Sequence, residues 1–204
     1  MGKKFIDLSK RPRMWQYALC TPEELDYLEY VQNEISIPNP ILRVPHRVFW
    51  IKELKPKYEE LWYMPWGEME LMKLELSEGN LYEAMHYIWP VSKRTFNLLE
   101  ITNVMSCMAW IKSELEKIQE VEADRLDSKL TDEQKEAGAE RLSEFGYYNA
   151  LRSIQPDITK HEETMKLPYN VIFRELLVSS IEKQVKSKYD EIITRNIKGN
   201  RGRS

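Results

Sequence analysis

Apolar residues recur at three- and four-residue steps over most of this chain, the spacing that gathers side chains on one face of a helix. The longest run follows Leu167-Pro-Tyr-Asn, where Phe173, Leu176, Leu177, Ile181, Val185, Tyr189 and Ile192 form one stripe. Pro168 suits the first turn there, because its missing N–H would have no intrahelical partner. This pattern predicts a long C-terminal helix docked through Phe173, Leu177 and Ile181. Further upstream, Val104, Met108, Ile111, Leu115 and Ile118 alternate steps of four and three, a seam that fails where Glu122 and Arg125 take the next positions. The seam is too short for an independent coiled coil and suits packing against another helix of the chain or of a partner. Trp66, Met69, Met72 and Leu76 predict another helix. Gly79-Asn80 stops it and supplies an N-cap for a second, Leu81 to Trp89, which ends at Pro90. Ser92 caps a third around Arg94 to Leu99. Thr21-Pro22-Glu23-Glu24 is a capping box that opens a helix with Leu25, Leu28 and Val31 as its apolar face, closed by Ser36-Ile-Pro-Asn-Pro.

The pattern changes between Ile41 and Ile51, where β-branched and aromatic residues predict a short strand over Arg47–Ile51. Pro45 would confine any longer strand to a sheet edge. Tyr58, Leu61, Trp62, Tyr63 and Trp66 then read as an aromatic plug for the core rather than a platform for bases. Residues 119–141 are rich in charge, predicting a solvated helix end, a loop and a new helix capped by Thr131 or Asp132. The expected fold is mainly α, a helical bundle of six to eight helices with one short strand or hairpin near residues 41–52. The expected organisation is one helical domain over residues 1–204. Any lobes, 1–127 and 131–196, would divide near Ser128, and a basic tail would occupy 197–204.

Hydrophobic residues are 42% and charged residues 31%, the balance of a chain that buries its own core. No apolar run approaches the roughly 20 residues of a membrane span, and no signal-peptide pattern opens the chain, so the expectation is a cytosolic protein. Cys20 and Cys107 cannot build a disulfide framework and are expected to be reduced core thiols. The net charge of −3 gives no overall basic field for nucleic acid. The ends differ: Lys3, Lys4, Lys10, Arg11 and Arg13 crowd the first, and Arg195, Lys198, Arg201 and Arg203 the last. The last four are the candidate nucleic-acid contacts, against the plainer role of keeping a terminus solvated.

Catalytic chemistry is hard to find. His46, His86 and His161 have no partners at metal-ligand spacing. His161-Glu162-Glu163 are adjacent and point to different faces, which predicts an exposed polar turn. His86, among Met85, Tyr87 and Trp89, is expected to be a hydrogen-bonded core histidine. Serine-nucleophile motifs are missing and the carboxylates are scattered. The expectation is no enzyme, no catalytic residue, no metal and no cofactor. Six of the nine methionines, Met64, Met69, Met72, Met85, Met105 and Met108, fall within residues 64–108. They predict either core filler or an adaptable apolar groove, whose candidate partner-binding residues are Met69, Met72, Met105, Met108 and Ile111.

Several stretches carry a family likeness: Met64-Pro-Trp-Gly-Glu, Leu76-Ser-Glu-Gly-Asn, Ile101-Thr-Asn-Val and Trp110-Ile-Lys-Ser-Glu-Leu. It is clearest in Phe145-Gly-Tyr-Tyr-Asn-Ala-Leu, Asp157-Ile-Thr-Lys-His-Glu-Glu and Leu167-Pro-Tyr-Asn-Val-Ile-Phe. With these the chain resembles small helical proteins of tailed bacteriophages regarded as tail assembly chaperones. Residues 1–60 match weakly, and Gln155-Pro156-Asp157 stands where the family has a Gly-Gly-Asp turn. The resemblance implies a non-enzymatic protein of the host cytoplasm. Such a protein holds an elongated helical client, the tape-measure protein, soluble while the tail tube polymerises. The alternatives are a structural component of the neck or tail, such as a ring protein retained in the virion, and a nucleic-acid-binding regulator. The expected partner is a phage tail protein, with no membrane involved.

Overall fold

The computed structural model describes residues 11–17, 19–26, 28, 37–46, 50–126, 136, 141 and 145–201, with backbone alone at 46, 50 and 197–201. Among the described residues the chain is mainly helical, with nine helices and one two-stranded antiparallel sheet. The expected range ended at eight. Helices that no periodicity announced include α1 (Met14–Tyr17) and α8 (His161–Met165), which are too short to carry one. The others are α2 (22–26), α3 (Trp66–Ser77), α4 (Leu81–His86), α5 (Lys93–Asn97), α6 (Ile101–Arg125), α7 (Tyr147–Ile154) and α9 (Tyr169–Arg201). The chain forms two compact units, Met1–Ile118 and Gln119–Ser204. Their boundary falls inside α6, just past Ile118, the last residue of its buried face.

In the first unit the sheet is a hairpin of β1 (Leu42–His46) and β2 (Trp50–Leu54), with Leu42 opposite Leu54 and His46 opposite Trp50. The pairing therefore reaches Leu54, and the expected strand residues 47–49 lie outside the described residues. Side chains alternate along β1: Leu42 and Val44 are buried while Arg43 and Pro45 face out. The outer edge of β1 is satisfied by one side chain of α6. Asn103 accepts from the Arg43 N–H at 2.8 Å and donates to the Ile41 carbonyl at 3.2 Å. This leaves the end of β1 beside Asn103 no unpaired amide to offer another strand.

Local chemistry accounts for the helix boundaries. Thr21 and Glu24 form the reciprocal capping box, with the Thr21 N–H donating to the Glu24 carboxylate at 2.9 Å. Helix α3 stops in a Schellman turn: Gly79, at φ +78°, donates to Leu76, and Asn80 donates to Glu75. The Asn80 side chain does not cap α4 as expected, because its amide is engaged by the Glu75 and Glu78 carboxylates. Ser92 does cap α5, accepting from the Thr95 N–H at 3.2 Å. Helix α4 ends at His86, and residues up to Pro90 form turns.

The core of this unit is rich in methionine and tryptophan. Met64, Met69, Met72, Met85, Ile88, Trp89, Leu99, Ile101 and Ile111 are essentially fully buried. Trp89 donates its indole N–H to the Pro40 carbonyl at 3.1 Å and meets Trp110 edge-on. Of the aromatic cluster, Leu61 and Trp66 enter the core, whereas Tyr63 is exposed and the Tyr58 hydroxyl donates to Glu68. On α6 the buried face turns slightly from the predicted seam. Glu114 rather than Leu115 is buried, its carboxylate held by the exposed Lys117 ammonium. Residues 12–14 run beside the start of α6, with Met14 donating to Leu99 and Ile101 to Pro12.

The second unit comprises the end of α6, α7, a 3-10 turn at Ile158–Lys160, α8 and α9. Asp157 caps the turn, accepting from the Thr159 N–H at 3.0 Å and its hydroxyl at 2.7 Å. Leu151, Thr164, Tyr169, Ile172 and Phe173 are buried, and the Tyr169 hydroxyl donates to the Glu122 carboxylate. Helix α9 is 33 residues long, and only its first turns are buried. Ile181, expected in the docked face, is 50% exposed, and every described side chain from residue 181 to 196 faces solvent. The expected tail over 197–204 is helical through Arg201. The cap predicted at Thr131 or Asp132, and the hinge at Ser128, lie outside the described residues.

Candidate functional site

The five candidate partner-binding residues do not line one groove. Met69, Met72 and Ile111 have no exposed surface, since α3 and α6 turn them into the core of the first unit. Met105 and Met108 are separated from them on α6 and face a cavity of about 200 Å³. Ile101, Val104, Met105 and Met108 of α6 form one wall, Leu81 at the start of α4 adds to it, and Met14, Tyr17, Leu25 and Leu28 supply the rest. Among the described lining residues Asp26 is the charged one. Leu25 and Leu28 are legible as an apolar face, but Met14 and Tyr17 lie in a four-residue helix without period. Their place is fixed by the backbone bonds between residues 12–14 and 99–101.

The apolar stripe of α9 is the second candidate. Val178, Ile181, Val185, Tyr189 and Ile192 are each between 50% and 62% exposed, on the same helix that buries Ile172 completely. Val178 is absent from the predicted stripe because its neighbour Leu177 fits the periodicity equally well. On the opposite face lies a shallow concavity of about 780 Å³ lined by Lys183, Lys186, Ser187, Asp190, Glu191, Thr194 and Arg195. Among its described lining residues two carboxylates stand beside three bases and offset their charge toward a phosphate. Of the candidate nucleic-acid contacts, Arg195 is exposed on α9. The side chains of Lys198, Arg201 and Arg203 lie outside the described residues.

The histidines at 86 and 161 have structural partners. His86 is exposed, not buried as expected, and its Nδ1 lies 3.0 Å from the Val91 carbonyl. His161 lies in α8 instead of a free turn, with Nε2 2.8 Å from the Gln155 carbonyl and its ring edge-on to Tyr148. Burial pushes the Cys107 thiol up to about 12. Cys20 is half-buried, and burial, then the nearby Glu24, raise its thiol too. Both cysteines are free, as expected of reduced thiols. Among the described residues no group of three His, Cys, Asp or Glu side chains could hold a metal ion. No described helix is long and apolar enough to cross a membrane. Compared with family models, with curated proteins and with solved structures, the chain has no match in any of the three.

Proposed function

We propose that this chain is a non-enzymatic bacteriophage protein that assists tail assembly by binding an elongated helical client, such as the tape-measure protein, in the host cytoplasm. In this reading the first unit is a helical bundle braced by the hairpin, and the cavity beside Met105 and Met108 receives one apolar anchor side chain of the client. The observation that carries the reading is the cavity itself: about 200 Å³, with three methionines among its mostly apolar lining residues and Asp26 and Tyr17 as the polar ones. Unbranched thioether side chains repack around anchors of different shape, which suits a client presenting many similar ridges. One buried Leu-sized anchor is worth only about 1.5–3 kcal/mol, so each engagement is weak and reversible, as a holding function requires.

Affinity capture from infected cells tests this directly, with Met108→Glu and Met69→Glu as a pair. Loss of the captured tail protein by Met108→Glu at an unchanged melting temperature supports the cavity as the client's site, whereas global unfolding assigns Met108, 8% exposed, to the core. Met69→Glu should unfold the unit, because Met69 has no exposed surface. Capture that returns only nucleic acid, or no tail protein, ends the chaperone reading. Finding the protein at stoichiometric level in purified virions would favour a ring component of the neck or tail.

A further inference from the structure

We infer that α9 associates with a second copy of itself, antiparallel, through the stripe Val178, Ile181, Val185, Tyr189 and Ile192. The steps along that stripe are three, four, four and three, so it reads the same in both directions about Val185. A two-fold axis at Val185 then sets Ile181 against Tyr189 and Val178 against Ile192, with Val185 meeting its own copy. Such an interface is isologous, so one sequence must satisfy both of its sides. A palindromic stripe does this without a second pattern.

The charges on one flank are compatible with the same axis. In an antiparallel pair each flank of the stripe faces the same flank of its copy, and Glu182 and Lys186, four apart, share a flank. With a rise of about 1.5 Å per residue, Glu182 lies roughly 3 Å along the axis from Lys186 of the second copy. It lies roughly 9 Å from the other Glu182, and because the two Lys186 also come within roughly 3 Å along the axis, each Glu182 carboxylate offsets the repulsion of that lysine pair. A parallel, in-register pair would instead bring each Arg174 and each Lys188 level with its own copy beside the seam. Five half-exposed side chains per helix bury on the order of 1,000 Å² in total, the lower limit for a specific interface. The pair should therefore form at high protein concentration and dissociate on dilution.

Sedimentation of the full chain over a concentration series should show a mass rising from 24.4 kDa to twice that value. Val185→Glu should hold it at the monomer mass with its helical circular dichroism unchanged, since Val185 is 62% exposed. In a Cys20→Ser background, mild oxidation should cross-link Val185→Cys, and Val178→Cys combined with Ile192→Cys, but not Val178→Cys alone. A chain monomeric at every concentration, or a Val185→Glu variant that still dimerises, would overturn the inference. So would cross-linking of Val178→Cys alone, which reports a parallel pair. Protection of the stripe only in the presence of a captured tail protein would assign it to the client instead. The anchor cavity belongs to the other unit, so none of these results depends on it.

Discussion

Truncating the same residue type at two points of α9 separates its docked start from its free length. Ile172 has no exposed surface and Ile181 is 50% exposed. Ile172→Ala removes buried methyl and methylene groups and leaves a cavity, a loss of about 2–5 kcal/mol at a fully buried site. Ile181→Ala removes atoms already half in water, and should fall within about 0.5 kcal/mol of the parent protein. Alanine's better helix propensity adds a few tenths of a kcal/mol to both variants, and cancels in their difference. With a urea m-value of about 1–3 kcal/mol per molar, Ile172→Ala should lower the midpoint by roughly 1 M or more while Ile181→Ala barely moves it. Helical circular dichroism is the suitable probe, because all six tryptophans lie at or before Trp110 and fluorescence would follow the first unit. Dilute protein isolates the monomer. Repeating the measurement at high concentration should reveal a cost for Ile181→Ala if the helices pair, since association stabilises by mass action. Equal midpoint shifts in dilute protein would show that the free length of α9 is in fact docked.

Three further outcomes follow from the same contacts. Ser92→Ala removes the acceptor of the Thr95 N–H and should cost about 1 kcal/mol by thermal or urea unfolding, with Ser92→Gly nearer the parent. Cys107 is buried with its thiol pushed up to about 12, so native protein at neutral pH should label with a thiol reagent at Cys20 alone. Labelling of both at equal rates would refute the burial. The carboxyl of Asp157 is held below its ordinary range by the Thr159 hydroxyl, then by the Thr159 N–H and His161. A depressed folded pKa stabilises above the unfolded value, about 3.9, and that stabilisation is lost as pH falls through the folded value. The gap in stability between parent and Asp157→Asn should accordingly be constant at neutral pH and narrow on acidification, and a widening gap would refute the assignment.

Much of the first unit is legible from local signals, because its boundaries rest on chemistry confined to a few residues. The capping box at Thr21, the Ser92 cap and the Gly79 stop each depend on neighbours within a turn or two. What local pattern could not supply is long-range pairing. Asn103 bridges sixty residues to seal β1, and Pro12 and Met14 bond to residues nearly ninety positions away. Neither partnership leaves a periodic trace. The cavity was only half visible for the same reason: Met105 and Met108 sit on a strongly periodic helix, whereas Met14 and Tyr17 are brought there by backbone bonds alone. His86 was misplaced by its apolar neighbours, since its position on α4 turns it outward while Met85 beside it turns in.

The stripe on α9 shows why periodicity cannot distinguish a face packed within the chain from one reserved for another chain. Phe173 and Ile181 obey the same spacing and carry side chains of similar hydrophobicity, yet one is buried and the other half exposed. Burial depends on whether a second apolar surface lies within reach, and a helix of 33 residues, about 50 Å at 1.5 Å per residue, outruns the short helices α7 and α8 described in its own unit. Leaving five large apolar side chains half exposed forgoes part of the stabilisation their burial would bring, and every described side chain along residues 181–196 is exposed. Solubility alone would favour polar residues at those positions. A stripe that keeps helical spacing, reads the same in both directions and carries opposite charges on one flank is better accounted for by a partner helix of the same sequence than by chance.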